Sequence, residues 1–124
     1  MPKSPVVSIV DDDMSVRAAV ATLVRSLGFT ARSFASAAEF LRSPSLAETA
    51  CLVSDVQMPG MDGLALQSEL IARGCRIPVV FITAFPNERL QVRAAEGGAI
   101  CFLHKPFEAR AMIGCIAEAM KLSS

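Results

Sequence analysis

Cys51-Leu52-Val53-Ser54-Asp55-Val56-Gln57-Met58-Pro59-Gly60-Met61-Asp62-Gly63 (51–63) passes from an apolar run, through an aspartate and a Pro/Gly loop, to the start of a helix. Residues 51–54 predict a short buried strand, and the loop at Met58–Met61 ends it. Asp62 is a residue type that caps helices. Leu66 and Leu70, one turn apart, predict a helix running to about Arg73. A strand leading into a helix is half of a βαβ unit, and the fold depends on whether that unit repeats.

It repeats on both sides. The β-branched run Val6–Val10 predicts a buried strand. A helix over Met14–Leu27 follows, with Val16, Val20, Leu23 and Leu27 on one face and Gly28 as its stop. Thr30–Phe34 reads as a more polar strand at or near a sheet edge. Ser36 is placed to cap a short helix through Leu41, which Pro44 keeps from continuing. Pro78–Ile82 predicts a central strand and Glu88–Glu96 a short, weakly amphipathic helix ended by Gly97-Gly98. Ile100–Leu103 predicts a fifth strand, and Glu108–Leu122 a closing helix built on Ile113, Ile116 and Met120. Five strand–helix units require a parallel sheet covered on both faces, with right-handed crossovers. The expected fold is therefore α/β and flavodoxin-like: a doubly wound (βα)5 single domain over 1–124, with strand order 2-1-3-4-5.

Composition narrows the function. The chain is 52% hydrophobic with no Trp or Tyr, so its core must be largely aliphatic. Twelve basic residues balance twelve acidic ones, which gives the domain no net pull on nucleic acid or an anionic membrane. Direct nucleic-acid binding is not expected. The residues from Met1 to Pro5 do not form a signal peptide, and no apolar run is long enough to span a bilayer, so a cytoplasmic protein is expected. Cys51, Cys75, Cys101 and Cys115 stand singly, without a C-x-x-C pair, and are read as buried, reduced thiols acting as small hydrophobes.

In an open parallel sheet, ligands bind beyond the carboxyl ends of the strands. Four of the five predicted strands bring chemistry there: Asp11-Asp12-Asp13 from the first, Asp55 from the third, Thr83 from the fourth and Lys105 from the fifth. Clustered carboxylates repel one another unless a cation neutralises them. A hard, oxygen-liganded divalent ion such as Mg²⁺ suits such a set. With its charge balanced, one carboxylate can attack phosphorus, and a lysine, a hydroxyl and a metal are the groups that steady a phosphoryl transition state.

Ile9-Val10-Asp11-Asp12, SDVQMPGMDG (54–63), FITA (81–84) and FLHKPF (102–107) resemble, in order and over nearly the whole chain, the receiver domains of response regulators in two-component signalling. The nitrogen-fixation regulator type is the nearest in flavour. The resemblance implies that Asp55 is the phosphoacceptor, served by a sensor histidine kinase. It implies Mg²⁺ held by Asp12 and Asp55, by Asp11 through a metal-bound water, and by the backbone carbonyl of Gln57. Thr83 would hydrogen-bond the phosphoryl group, and small Ala84 would leave it access. Lys105 would pair with the acceptor carboxylate, Pro106 would follow a cis peptide, and Phe102 would be an aromatic switch partnered with Thr83. The output would be a phosphorylation-dependent homodimer or control of an output domain, in transcription regulation. Receivers of this type precede a DNA-binding helix-turn-helix domain, and none lies within residues 1–124. The protein would be a signalling switch and not an enzyme.

Blander and rival readings stand beside this one. Asp13 is read as a helix cap, Phe102 as core or semi-core, and His104 as a surface histidine facing away from Lys105. Met58 and Met61 look like loop packing. Phe85-Pro86 is a stiff start to the fourth connection, and Phe85 is positioned in sequence to shield Asp55 from water. Asp11-x-Asp13 also reads as the motif of a haloacid-dehalogenase-like phosphatase with Asp11 as nucleophile, but that leaves residues 54–63 unexplained. A receiver-like binding module that is never phosphorylated is the third reading. A flavin site is disfavoured, because three aspartates would repel a flavin phosphate.

Overall fold

A computed structural model describes residues 4–123; Met1–Lys3, on which part of the no-leader reading falls, lie outside them. Five strands, β1 (Val6–Val10), β2 (Thr30–Phe34), β3 (Thr49–Asp55), β4 (Val79–Thr83) and β5 (Cys101–His104), alternate with five helices: α1 (Met14–Ser26), α2 (Ala37–Arg42), α3 (Gly63–Ala72), α4 (Glu88–Glu96) and α5 (Ala109–Ser123). The sheet is parallel throughout, in the order β2-β1-β3-β4-β5, as the sequence pattern predicts.

Burial explains the pattern. β1 and β4 are buried at every position because helices cover both faces of the sheet, whereas the polar β2 sits at an edge. On one face Val7, Ile9, Val53, Val80 and Ile82 pack against α1 and α5 through Val20, Val24, Met112 and Ile116. On the other, Val10, Leu52 and Phe81 meet Phe40 of α2, Leu66 and Leu70 of α3, and Ala94 of α4. At about 1.5–3 kcal/mol for each fully buried aliphatic or aromatic side chain, these two layers supply the main driving force for folding. No helix among the described residues is long and apolar enough to cross a membrane.

The starts of α1 to α4 each carry a side-chain cap. Asp13 accepts from Ser15 N (2.8 Å), Asp62 from Ala65 N (2.8 Å), Asn87 from Arg89 N (2.8 Å), and Ser36 from Glu39 N (3.2 Å). Gly28, with φ +85°, ends α1 in a conformation that side chains rarely adopt. Two details differ from the sequence reading. Pro44 stops α2 but opens a short 3-10 turn over Pro44–Glu48, because a proline fits a helical first turn. And α4 is more amphipathic than expected: Ala94 is buried and Leu90 half-buried, while Glu88, Arg89, Arg93 and Glu96 face out.

The reading of four reduced thiols is corrected. Cys101 of β5 and Cys115 of α5 form a disulfide with a Cα–Cα distance of 6.0 Å, leaving Cys51 and Cys75 free. Linear spacing hides the pair, since α5 folds back along β5 and brings together residues separated by 14 positions. Cys51 behaves as expected: burial pushes its thiol up to about 12, so it stays protonated and inert.

Strand register carries the fold to its functional end. Val10 pairs with Ser54, Asp55 with Ile82, and Thr83 with His104, so the carboxyl ends of β1, β3, β4 and β5 finish level. The return from β3 into α3 is tight. Gly63 N donates to Val56 O (2.9 Å), and a Cβ at Gly63 would collide with the Asp55 carbonyl and stand 3.0 Å from the Phe81 ring. Gly63→Ala is expected to lower stability by about 2 kcal/mol through overpacking. Urea unfolding checks this, and an unchanged midpoint would contradict the close approach.

Candidate functional site

The crevice at the carboxyl end of the sheet is built by residues that each directly follow or end a strand. Asp11 follows β1 and is completely buried, and Asp12 beside it is exposed. Asp55 ends β3 at 5% exposure, Thr83 ends β4 fully buried, and half-buried Lys105 follows β5. Backbone bonds lock these ends together: Asp11 N to Phe34 O (3.2 Å), Val56 N to Ile82 O (3.0 Å) and Lys105 N to Thr83 O (2.7 Å).

The Lys105 ammonium lies 2.9 Å from Asp11 Oδ2 and 3.3 Å from Asp55 Oδ2. Asp11 Oδ1 accepts from Asp13 N (2.8 Å), whereas its Oδ2 has no well-formed hydrogen bond and faces the ammonium alone. Burial raises the Asp55 carboxyl above its ordinary range, and the Asp11 charge adds to this. Lys105 and the backbone N–H of Gln57 pull the other way without prevailing. For Lys105, burial opposes the charge, but its contacts with Asp11 and Asp55 outweigh it and hold the ammonium above its ordinary value.

Carboxylate oxygens of Asp11, Asp12 and Asp55 all lie within 4.8 Å of one another. Three carboxylates against one ammonium leave an excess of negative charge, and every donor is a hard oxygen. Beyond burial, the neighbouring Asp11 charge helps to raise the Asp55 carboxyl, and the single ammonium does not offset it. A hard divalent cation fits such a set.

Most residues singled out in the sequence meet here. Thr83 Oγ1 donates to Gln57 Oε1 and accepts from Phe85 N (3.1 Å). Ala84 is exposed beside it, and the Lys105–Pro106 peptide is cis, as expected. Phe102 is half-buried against the layer beneath α4, in keeping with its semi-core reading. His104 is exposed, and Asp13 is a helix cap. Phe85 stands 73% exposed. The sequence reading missed two partners. Arg17 Nη1 donates to the Asp11 carbonyl (2.7 Å), and the Gln57 side chain, expected to contribute only its backbone, holds the Thr83 hydroxyl. Arg17 had a signal, lying one turn into α1 beyond the aspartate run. Gln57 had none beyond its place in the loop.

The electrostatics set a pH dependence. Asp55 holds its proton more tightly in the fold than in the unfolded chain, so stability falls as pH rises through the window from the ordinary carboxylate range to its raised value. At neutral pH the ionised carboxylate therefore costs stability. Asp55→Asn is expected to raise the urea midpoint at pH 7 in EDTA, with the gain disappearing as pH falls below the ordinary carboxylate range. A less stable variant at pH 7 would contradict the assignment.

Comparison with known proteins agrees with this geometry. Residues 7–117 match the response regulator receiver domain. The response regulator protein TodT of Pseudomonas putida F1 is 38% identical over 121 residues, covering 98% of this chain and 53% of that protein. The transcriptional regulatory protein FixJ of Azorhizobium caulinodans is 39% identical over 124 residues, covering 100% of this chain and 59% of that protein. The solved structure of the response regulator StyR superposes with a TM-score of 0.90 at 45% identity, over 97% of this chain and 61% of that one. The chain thus spans little more than half the length of these relatives. With the acidic crevice, the strand order and residues 7–117 all in agreement, this chain belongs to the response regulator receiver domain family of two-component signalling.

Proposed function

We propose that residues 1–124 form a receiver domain that works as a phosphorylation switch, with Asp55 as phosphoacceptor and a sensor histidine kinase as donor. The observation that carries this reading is the Lys105 ammonium, 2.9 Å from Asp11 Oδ2 and 3.3 Å from Asp55 Oδ2, beside the buried hydroxyl of Thr83. A carboxylate oxygen of Asp55 forms a bond to phosphorus while the bond from phosphorus to the kinase's imidazole nitrogen breaks. Lys105 neutralises charge on the phosphoryl oxygens, and the Thr83 hydroxyl leaves Gln57 to donate to one of them. Asp12 and Asp55, the Gln57 carbonyl and, through a water, Asp11 are the groups that would hold Mg²⁺, which when bound supplies the remaining positive charge.

Withdrawal of Thr83 and Lys105 toward the new oxygens opens space for Phe102 to turn inward. The face formed by α4, β5 and α5 then changes shape; Val92 on it is 50% exposed and Leu90 half-buried. This is a shift between two conformers, and moving it from nearly all off to nearly all on takes about 5.5 kcal/mol of differential stabilisation. A few charge-assisted contacts to a dianionic group are of that order. The consequence is homodimerisation or control of an output domain beyond these residues, serving transcription regulation in the cytoplasm.

Incubation with acetyl phosphate and Mg²⁺, followed by peptide mass spectrometry, tests the assignment. Wild type is expected to acquire a phosphoryl group on Asp55; Asp55→Asn or excess EDTA abolishes it. Label on Asp11 would favour the haloacid-dehalogenase-like phosphatase instead. An unlabelled wild type would favour a receiver-like module that is never phosphorylated.

A further inference from the structure

The disulfide between Cys101 and Cys115 closes a loop around the residues on which the switch depends. The segment between them contains Phe102, Lys105 and Pro106, so both the ammonium of the site and the aromatic ring lie inside a covalently tied stretch. Side chains alternate along β5. Cys101 packs on the layer shared with α5, and Phe102 packs on the opposite layer beneath α4. The bond therefore pins one face of the strand whose other face carries the ring.

The two cysteines differ in exposure. Cys115 is 7% exposed, among Met112 and Ile116, while Cys101 is half-buried near the sheet edge. Cys51, fully buried, and Cys75, at the far end of the sheet, remain as thiols and provide internal references. Paired cysteines outside oxidising compartments are characteristically transient and redox-sensing.

We propose that Cys101 and Cys115 form a redox-responsive modification site, exchanging with low-molecular-weight thiols and disulfides and coupled to phosphorylation of Asp55. The coupling rests on the phosphoacceptor reading above; the bond itself does not. In the opening direction a small thiolate attacks the sulfur of Cys101, the less buried residue of the pair, and forms a mixed disulfide, and Cys115 leaves as a thiolate that takes up a proton. A second small thiol then releases Cys101 as a thiol and carries off the small-molecule disulfide. In sum, one protein disulfide and two small thiols become two protein thiols and one small disulfide. In the closing direction a small disulfide is the oxidant, and the same atoms return.

The bond coexists here with Lys105 bridging Asp11 and Asp55 and with Thr83 held by Gln57, which is the unphosphorylated arrangement. Tying β5 to α5 thus favours the resting conformer, and opening the bond frees the segment that must move.

The test uses the whole chain equilibrated with oxidised or reduced glutathione, alkylated after denaturation and mapped by peptide mass spectrometry. Oxidised protein is expected to show a Cys101–Cys115 cross-linked peptide with only Cys51 and Cys75 alkylated, and reduced protein to alkylate at all four. Acetyl phosphate should label Asp55 to a level about fivefold or more lower in oxidised than in reduced wild type, a modest value for two linked sites. Cys115→Ser should respond equally in both buffers, and Cys101→Ser repeats the test should loss of the buried thiol prevent folding. Four free thiols after oxidised glutathione, or equal labelling of the two states, would overturn the proposal. Reduced protein that takes no phosphoryl group at all overturns the phosphoacceptor reading and the coupling with it, while the thiol count still decides the bond.

Discussion

An ammonium held between two carboxylates, one of them sealed from solvent, is the contact around which this domain is organised. Asp11 is wholly buried, and with Asp55 close by, its charge has no escape into water. Two unit charges ~4 Å apart repel by about 4 kcal/mol at an effective dielectric of 20, so the pair is tolerable only with a compensating cation nearby. Lys105 supplies part of that compensation from the end of β5, two places from β3 and three from β1 in the sheet. Burial first, and then the Asp11 charge, raise the Asp55 carboxyl, and the uncompensated negative charge makes the crevice receptive to a divalent ion.

The rest of the fold keeps those charges level. Register pairs Val10 with Ser54 and Thr83 with His104, so a slip of one residue in any strand would turn its functional side chain away from the crevice. Two aliphatic layers hold the strands in place, and the caps at Asp13 and Asp62 start α1 and α3 directly behind the acidic loops. Gly63 lets the backbone turn back against the Asp55 carbonyl, where any side chain would intrude.

Much of this was legible from one-dimensional pattern. Buried strands are written as β-branched runs, helix starts as Asp or Ser, and parallel pairing with right-handed crossovers leaves few strand orders. The site was legible for a related reason: residues immediately after strands of a parallel sheet must share one edge, so Asp11, Asp55, Thr83 and Lys105 could be placed together without coordinates. What escaped depends on side-chain reach and on chain reversal. Gln57 can extend either to solvent or to Thr83, and its position does not decide which. Arg17 turns back to the Asp11 carbonyl instead of projecting outward. Cys101 and Cys115 meet because α5 doubles back on β5, a consequence of packing that spacing in sequence does not encode.

The central claim is that carboxylates from two separate strand ends, neutralised in part by Lys105, create one hard-cation site. Titration with Mn²⁺ in place of Mg²⁺, followed by paramagnetic broadening of backbone amide resonances, reads that claim directly. The account predicts saturable broadening confined first to residues 11–13, 55–57, 83–85 and 105, displaced by excess Mg²⁺. Broadening that is scattered over surface acids, or that never saturates, would contradict it.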